Sequence, residues 1–170
     1  MNLGRSVSIA VAALAVLLLP GCGFHLRAEA RLPASMQRVH IEIADNFSPI
    51  AKDLERAMRR SGVEVVDTVV PGVAVMHITT NTISTDVLSV GGNARANEYA
   101  IRYHVEFDVE DAAGVLLLPK QVIELSRDFT FDASQALGVA AEEDVLTQEL
   151  ERDMVQTILR RLEALAHAPA

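Results

Sequence analysis

Residues Tyr99 to Glu110 constrain the fold more than any other stretch of this chain. Tyr99, Ile101, Tyr103, Val105, Phe107 and Val109 alternate with Ala100, Arg102, His104, Glu106, Asp108 and Glu110. Successive side chains of a strand point to opposite faces, so one face here is wholly apolar and the other nearly all charged. That pattern predicts an antiparallel strand with one face on a core and the other in water.

The flanking segments extend the sheet. Asp111-Ala112-Ala113-Gly114 turns the chain, and the returning half, up to Phe131, places Ile123, Leu125, Phe129 and Phe131 on one face. Arg127 interrupts that face and must find a partner or reach the strand's end. Val73 to Val90 is rich in Val, Ile and Thr and reads as one long strand with room for a bulge. Gly91, Gly92 and Asn93 form the loop after it, since Gly and Asn allow positive φ.

The first part of the domain reads as a strand, helix, strand unit. Arg38 to Ile43 alternates polar and apolar residues. Ser48 is an expected N-cap with Pro49 at the first helical position. Ile50, Leu54, Ala57 and Met58 make an apolar stripe, and Gly62 ends the helix. Arg56, Arg59 and Arg60 crowd its last turns, where they offer an anion site or simply complement the helix dipole; the dipole is the preferred reading. Val63 to Val66 is a short extended run, closed off by Pro71-Gly72 and expected to return parallel to the first strand. A final helix is predicted from about Ala140, with a stripe of Val145, Leu146, Leu150, Met154, Ile158, Leu162 and Leu165. Glu142, Glu143 and Asp144 fall in its expected first turn, and Arg160 and Arg161 in its last. The sum is an α+β two-layer domain, two helices covering one face of a mixed sheet.

The N-terminus reads as an address rather than as structure. Arg5 precedes an apolar run from Val7 to Leu19 that is too short to span a bilayer, which needs about 20 residues, and suits a signal-peptide core. Leu19-Pro20-Gly21-Cys22 follows and resembles the bacterial lipobox. That resemblance implies cleavage before Cys22, a diacylglycerol on its sulfur and an N-acyl chain on its freed amine. Two or more acyl chains suffice for stable anchoring. Gly23 in place of Asp favours the outer membrane by the same resemblance. The expected parts are a leader over 1–21, a lipidated N-terminus and tether over 22–35, one domain over 36–166 and a tail over 167–170.

Composition removes several function classes. A single cysteine excludes an intrachain disulfide framework. The net charge of −8 becomes −9 once Arg5 leaves with the leader, which argues against nucleic acid as a partner. No hydrolase, zinc or P-loop motif occurs, and His25, His40, His77, His104 and His167 lack helical ligand spacing. Catalytic and metal residues are therefore expected to be none. Glu106, Asp108 and Glu110 share one strand face and read as solvated acids rather than a catalytic pair.

Several separate pieces resemble one family, in collinear order: Cys22-Gly23-Phe24-His25-Leu26-Arg27, Ser61-Gly62-Val63-Glu64-Val65-Val66, Asn97-Glu98-Tyr99, and Ser126-Arg127-Asp128-Phe129-Thr130-Phe131-Asp132 with Gln135-Ala136-Leu137. They are similar to the lipopolysaccharide-assembly lipoprotein family LptE. The resemblance implies two helices on a mixed, mainly antiparallel four-stranded sheet and no enzymatic activity. It implies a plug within the outer-membrane β-barrel LptD, with the pair delivering lipopolysaccharide to the outer leaflet. No cofactor is implied beyond the acyl groups on Cys22. Family members are credited with lipopolysaccharide contact through basic residues near the sheet's loop end, here Arg95, Arg102, Lys120 and Arg127. The Gly91-Gly92-Asn93 loop would then lie near barrel or lipid. The alternative is an accessory or glycan-binding lipoprotein of another outer-membrane machine, which would be told apart by its partner.

Overall fold

The alternating segment becomes the middle of the sheet's long half. In the computed structural model, which describes residues 30–45, 48–90, 96–130 and 136–166, it runs as β4 (Ala96–Glu110) between β3 (Ala74–Val90) and β5 (Leu116–Thr130). Both pairings are antiparallel. Tyr103 lies opposite Ile83 on one side and Leu125 on the other, so the apolar face continues across all three strands. β1 (Arg38–Ile43) pairs parallel with β3, and β2 (Glu64–Val65) pairs parallel with β1. The strand order is β2-β1-β3-β4-β5.

The sheet thus has five strands rather than four, and two of its four pairings are parallel. The additional strand is the run Val63 to Val66, of which only two residues join the ladder. Glu64 N–H donates to Gln37 O at 2.8 Å and Val66 N–H to Val39 O at 3.0 Å. So short a strand contributes little apolar pattern of its own and borrows its position from the helix before it.

That helix, α1 (Pro49–Arg60), begins with Pro49 as expected. Ser48 occupies the cap position without capping; its hydroxyl instead donates to Asp45 O at 2.7 Å and closes the entering turn. The C-terminus is a Schellman motif. Val63 N–H donates to Met58 O and Gly62 N–H to Arg59 O, both at 3.1 Å, with Gly62 at φ +82°. Ile50, Ala51, Leu54, Ala57 and Met58 are buried.

The second helix, α2 (Ala136–Ala166), starts one turn earlier than its stripe predicts. Its first and last turns therefore hold no acidic and no basic residues, respectively. Glu142 to Asp144 and Arg160 to Arg161 lie too far inside for the dipole effect, which fades within the terminal turns. The inner stripe holds: Leu150, Met154, Ile158 and Leu162 are fully buried, whereas Val145 is 52% exposed. With Tyr103, Phe107 and Met76 these side chains form a single core between sheet and helices. Each such apolar side chain stabilises the domain by about 1.5–3 kcal/mol.

The helices do not cover the whole sheet. Residues 82–88 of β3 are all exposed, among them Ile83, Val87 and Leu88 at 42, 53 and 47%. A register shift between Ile78 and Thr80 lies just before this overhang. Thr85 still reaches α2, its hydroxyl donating to Glu143 Oε1 at 3.1 Å. Among the described residues no helix is long and apolar enough to cross a membrane.

Candidate functional site

The uncovered face of the sheet collects the polar residues of alternating strands, so one surface gathers charges from β1, β3, β4 and β5. Arg102 is its central cation. Its Nε lies 2.8 Å from Asp86 of β3 and its Nη1 3.2 Å from Glu124 of β5. His104 Nε2 lies 3.3 Å from Glu106 and its Nδ1 3.7 Å from Glu124. Lys120 pairs with Glu106, which also accepts from the Thr80 hydroxyl at 3.3 Å. The hydrogen bond from Lys120, followed by that from His104, holds the Glu106 carboxyl below its usual range. The result is a lattice of cross-strand pairs rather than a catalytic constellation.

Toward β1 the same face changes character. His77 Nδ1 lies 3.0 Å from Glu42 and its Nε2 3.9 Å from Glu110. Among the described residues His77, Asp108 and Glu110 are the one group with donor atoms close enough for a cation, within 4.8 Å of one another. The antiparallel β3–β4 register sets His77 opposite Asp108, and the parallel β1–β3 register adds Glu42 opposite His77. No spacing along the chain foretells it. All are partly exposed, as ion-paired acids on a strand face commonly are.

Of the basic residues expected near lipopolysaccharide, the described ones do not share one face. Arg102 and Lys120 occupy the open face, each held by carboxylates. Arg127 lies on the opposite face, where its register beside Ile101 points it to the helices and its Nη2 meets Asp153 Oδ2 at 2.5 Å. That contact supplies the partner its apolar register demanded. Arg95, the Gly91-Gly92-Asn93 loop and Cys22 lie outside the described residues.

Two arginines that the sequence did not single out together are brought to one place. Arg59 turns back to its own helix and the next strand, donating to Glu55 at 2.8 Å and to Val65 O at 2.7 Å. Arg60 does not follow it; it lines a cleft between α1 and α2 with Arg56 and Arg152. Of the three neighbours in sequence, Arg56 and Arg60 thus share one helix face while Arg59 turns to another.

The family model described as "LptE: Lipopolysaccharide-assembly" matches residues 36–162. The LPS-assembly lipoproteins LptE of Yersinia pestis (strain Pestoides F) and Yersinia pseudotuberculosis (serotype O:1b, strain IP 31758) are each 31% identical over 150 residues, covering 88% of this chain and 72% of theirs. The solution structure of an uncharacterized lipoprotein B from Nitrosomonas europaea superposes with a TM-score of 0.73 at 32% identity, covering 86% of this chain and 94% of that one. The rare lipoprotein B of Shewanella oneidensis shares the fold, with a TM-score of 0.65 at 23% identity over 75% of this chain and 94% of its own. The sheet order, the two helices on one face and the match across nearly the whole domain agree: this chain belongs to the LptE family of lipopolysaccharide-assembly lipoproteins.

Proposed function

We propose that the protein is a non-catalytic component of the outer membrane, anchored through acyl groups on Cys22, that plugs the lumen of an LptD-type β-barrel and assists insertion of lipopolysaccharide into the outer leaflet. Family membership supports the assembly role. The observation that carries the plug reading is the overhang of β3. Over residues 82–88 the sheet outruns its helices and leaves Ile83, Val87 and Leu88 in solvent, an investment that a domain working alone in water has no use for. The open face beside it presents paired charges, which match a hydrated lumen better than a lipid surface. Wide barrels enclose a lumen that needs filling.

Lipopolysaccharide contact through Arg102 or Lys120 requires a lipid phosphate to displace Asp86, Glu124 or Glu106 from its cation. The partner is tested by capturing tagged, full-length protein from outer membranes. A barrel of LptD type recovered in stoichiometric amount is expected, with loss of surface lipopolysaccharide on depletion. Recovery of a different envelope machine, with lipopolysaccharide delivery intact on depletion, overturns the reading in favour of an accessory role elsewhere.

A further inference from the structure

The described arginines and lysines divide into two groups. Those on the sheet and its edges are neutralised: Arg38 by Glu64, Arg102 by Asp86 and Glu124, Lys120 by Glu106, and Arg127 by Asp153. In the helical layer Arg56 and Arg59 are paired with Asp53 and Glu55, but two other arginines have no carboxylate partner. Arg60 makes no hydrogen bond or ion pair among the described residues, and Arg152 spends only its Nε, on Gln148 O of its own helix at 3.2 Å. Both line one cleft of about 410 Å³ between α1 and α2, together with Arg56, Asp53, Val155 and Gln156. In a chain carrying a net charge of −8, two arginines without ion-pair partners among the described residues line one concave surface.

The lining sets the class of ligand. Asp53 is the single acid among the lining residues and is already paired with Arg56, so the cleft presents the two positive charges of Arg60 and Arg152. A phosphomonoester carries about −1.5 to −2 charges at neutral pH and balances both, whereas one carboxylate balances only half. Guanidinium forks bind phosphoryl oxygens in bidentate fashion. Gln156 adds an amide that both donates and accepts, and Val155, 4% exposed, supplies an apolar floor. The volume falls within the range of about 300–1,000 Å³ usual for small-ligand sites.

We propose that the cleft between α1 and α2 binds a phosphoryl group through Arg60 and Arg152, on the helical side of the domain and away from the sheet face. The proposal does not depend on the barrel partnership, and the two are tested by different measurements. The phosphate comes either from a free anion or from a lipid headgroup. Calorimetric titration of the full-length, lipidated protein in a neutral detergent separates these sources. The probes are inorganic pyrophosphate and, in the same micelles, phosphatidic acid against diacylglycerol.

The wild-type protein is expected to bind pyrophosphate saturably. The Arg60→Gln, Arg152→Gln double variant should bind about tenfold more weakly or worse, the loss expected from one or two charge-assisted hydrogen bonds. The Arg38→Gln, Arg160→Gln double variant, which removes two cations outside the cleft, should bind as wild type. Phosphatidic acid binding more tightly than pyrophosphate, with diacylglycerol inert, assigns the site to a headgroup; the reverse order assigns it to a soluble anion. Arg60→Lys with Arg152→Lys keeps the charge and removes the fork, so it should fall between wild type and the Gln variant. Absence of pyrophosphate binding, equal binding by wild type and the Arg60→Gln, Arg152→Gln variant, or equal loss in the Arg38→Gln, Arg160→Gln variant overturns the proposal.

Discussion

Arg127 of β5 donates from Nη2 to Asp153 Oδ2 of α2 at 2.5 Å, and this pair fastens the edge strand to the helix above it. The two side chains are 38 and 53% exposed, so solvent screens much of their attraction. A double-mutant cycle on Arg127→Met and Asp153→Asn, followed by chemical denaturation, should give a coupling of about 0.5–1 kcal/mol. The coupling should shrink as salt is added. A coupling of zero at low salt would show that the contact places Arg127 without stabilising the domain.

Tyr103 is buried in the core and its hydroxyl donates to Asn81 Oδ1 at 2.8 Å. Tyr103→Phe removes the donor while keeping the ring, and should cost about 1 kcal/mol in denaturant unfolding. Burial, reinforced by the charges of Glu151 and Asp53, pushes the phenol above its ordinary value of 10.0. The folded chain therefore keeps a proton that the unfolded chain gives up above that pH. Stability from this group is complete below pH 10.0 and declines as pH rises beyond it. The wild type should lose stability over that alkaline range faster than Tyr103→Phe, by at most about 1.4 kcal/mol per pH unit. Parallel curves for the two proteins would disprove the assignment.

Gly62 holds φ +82° at the end of α1, and a Cβ there would meet nothing within 4 Å. The cost of Gly62→Ala is then backbone strain alone, about 1–2 kcal/mol, visible as a lower unfolding midpoint. Gly62→Asn should recover part of it, because Asn visits the left-handed region more readily. An alanine variant as stable as wild type would mean that the Schellman turn rearranges.

Cys22→Ala tests the anchor apart from the fold. The variant should incorporate no radiolabelled palmitate and should leave an uncleaved or unanchored chain, while its circular dichroism after purification matches the wild type. Normal labelling of this variant would disprove the lipobox reading.

The sequence exposes most plainly whatever a backbone period dictates. The face assignment of every described residue from Tyr99 to Glu110 follows from alternation alone, and Tyr103, Val105, Phe107 and Val109 are buried as expected. The inner stripe of α2 follows in the same way, but its start does not. Ala136 to Ala140 precedes the stripe that marks the helix, and Val145, assigned to that stripe, is 52% exposed. Pairings made across the fold are not legible. The partner of Arg127 lies 26 residues away on another element, and the three residues around His77 meet only through strand register. The arginines at the end of α1 are adjacent in sequence, yet helical rotation separates their fates, and Arg60 shares its cleft with a residue more than ninety positions later.

The overhang of β3 divides the sheet mechanically. Up to Ile78 the strand buries one face in the core through Ala74, Met76 and Ile78, and opening it there means opening the core. Beyond the register shift at Ile78 and Thr80, residues 82–88 are held to β4 mainly by ladder hydrogen bonds that water can reach. Their amide protons can exchange through local opening, at a free-energy cost well below that of global unfolding. The molecule is therefore a rigid root bearing a compliant blade. Such a blade can bend and twist to follow an irregular wall while the core behind it keeps its shape.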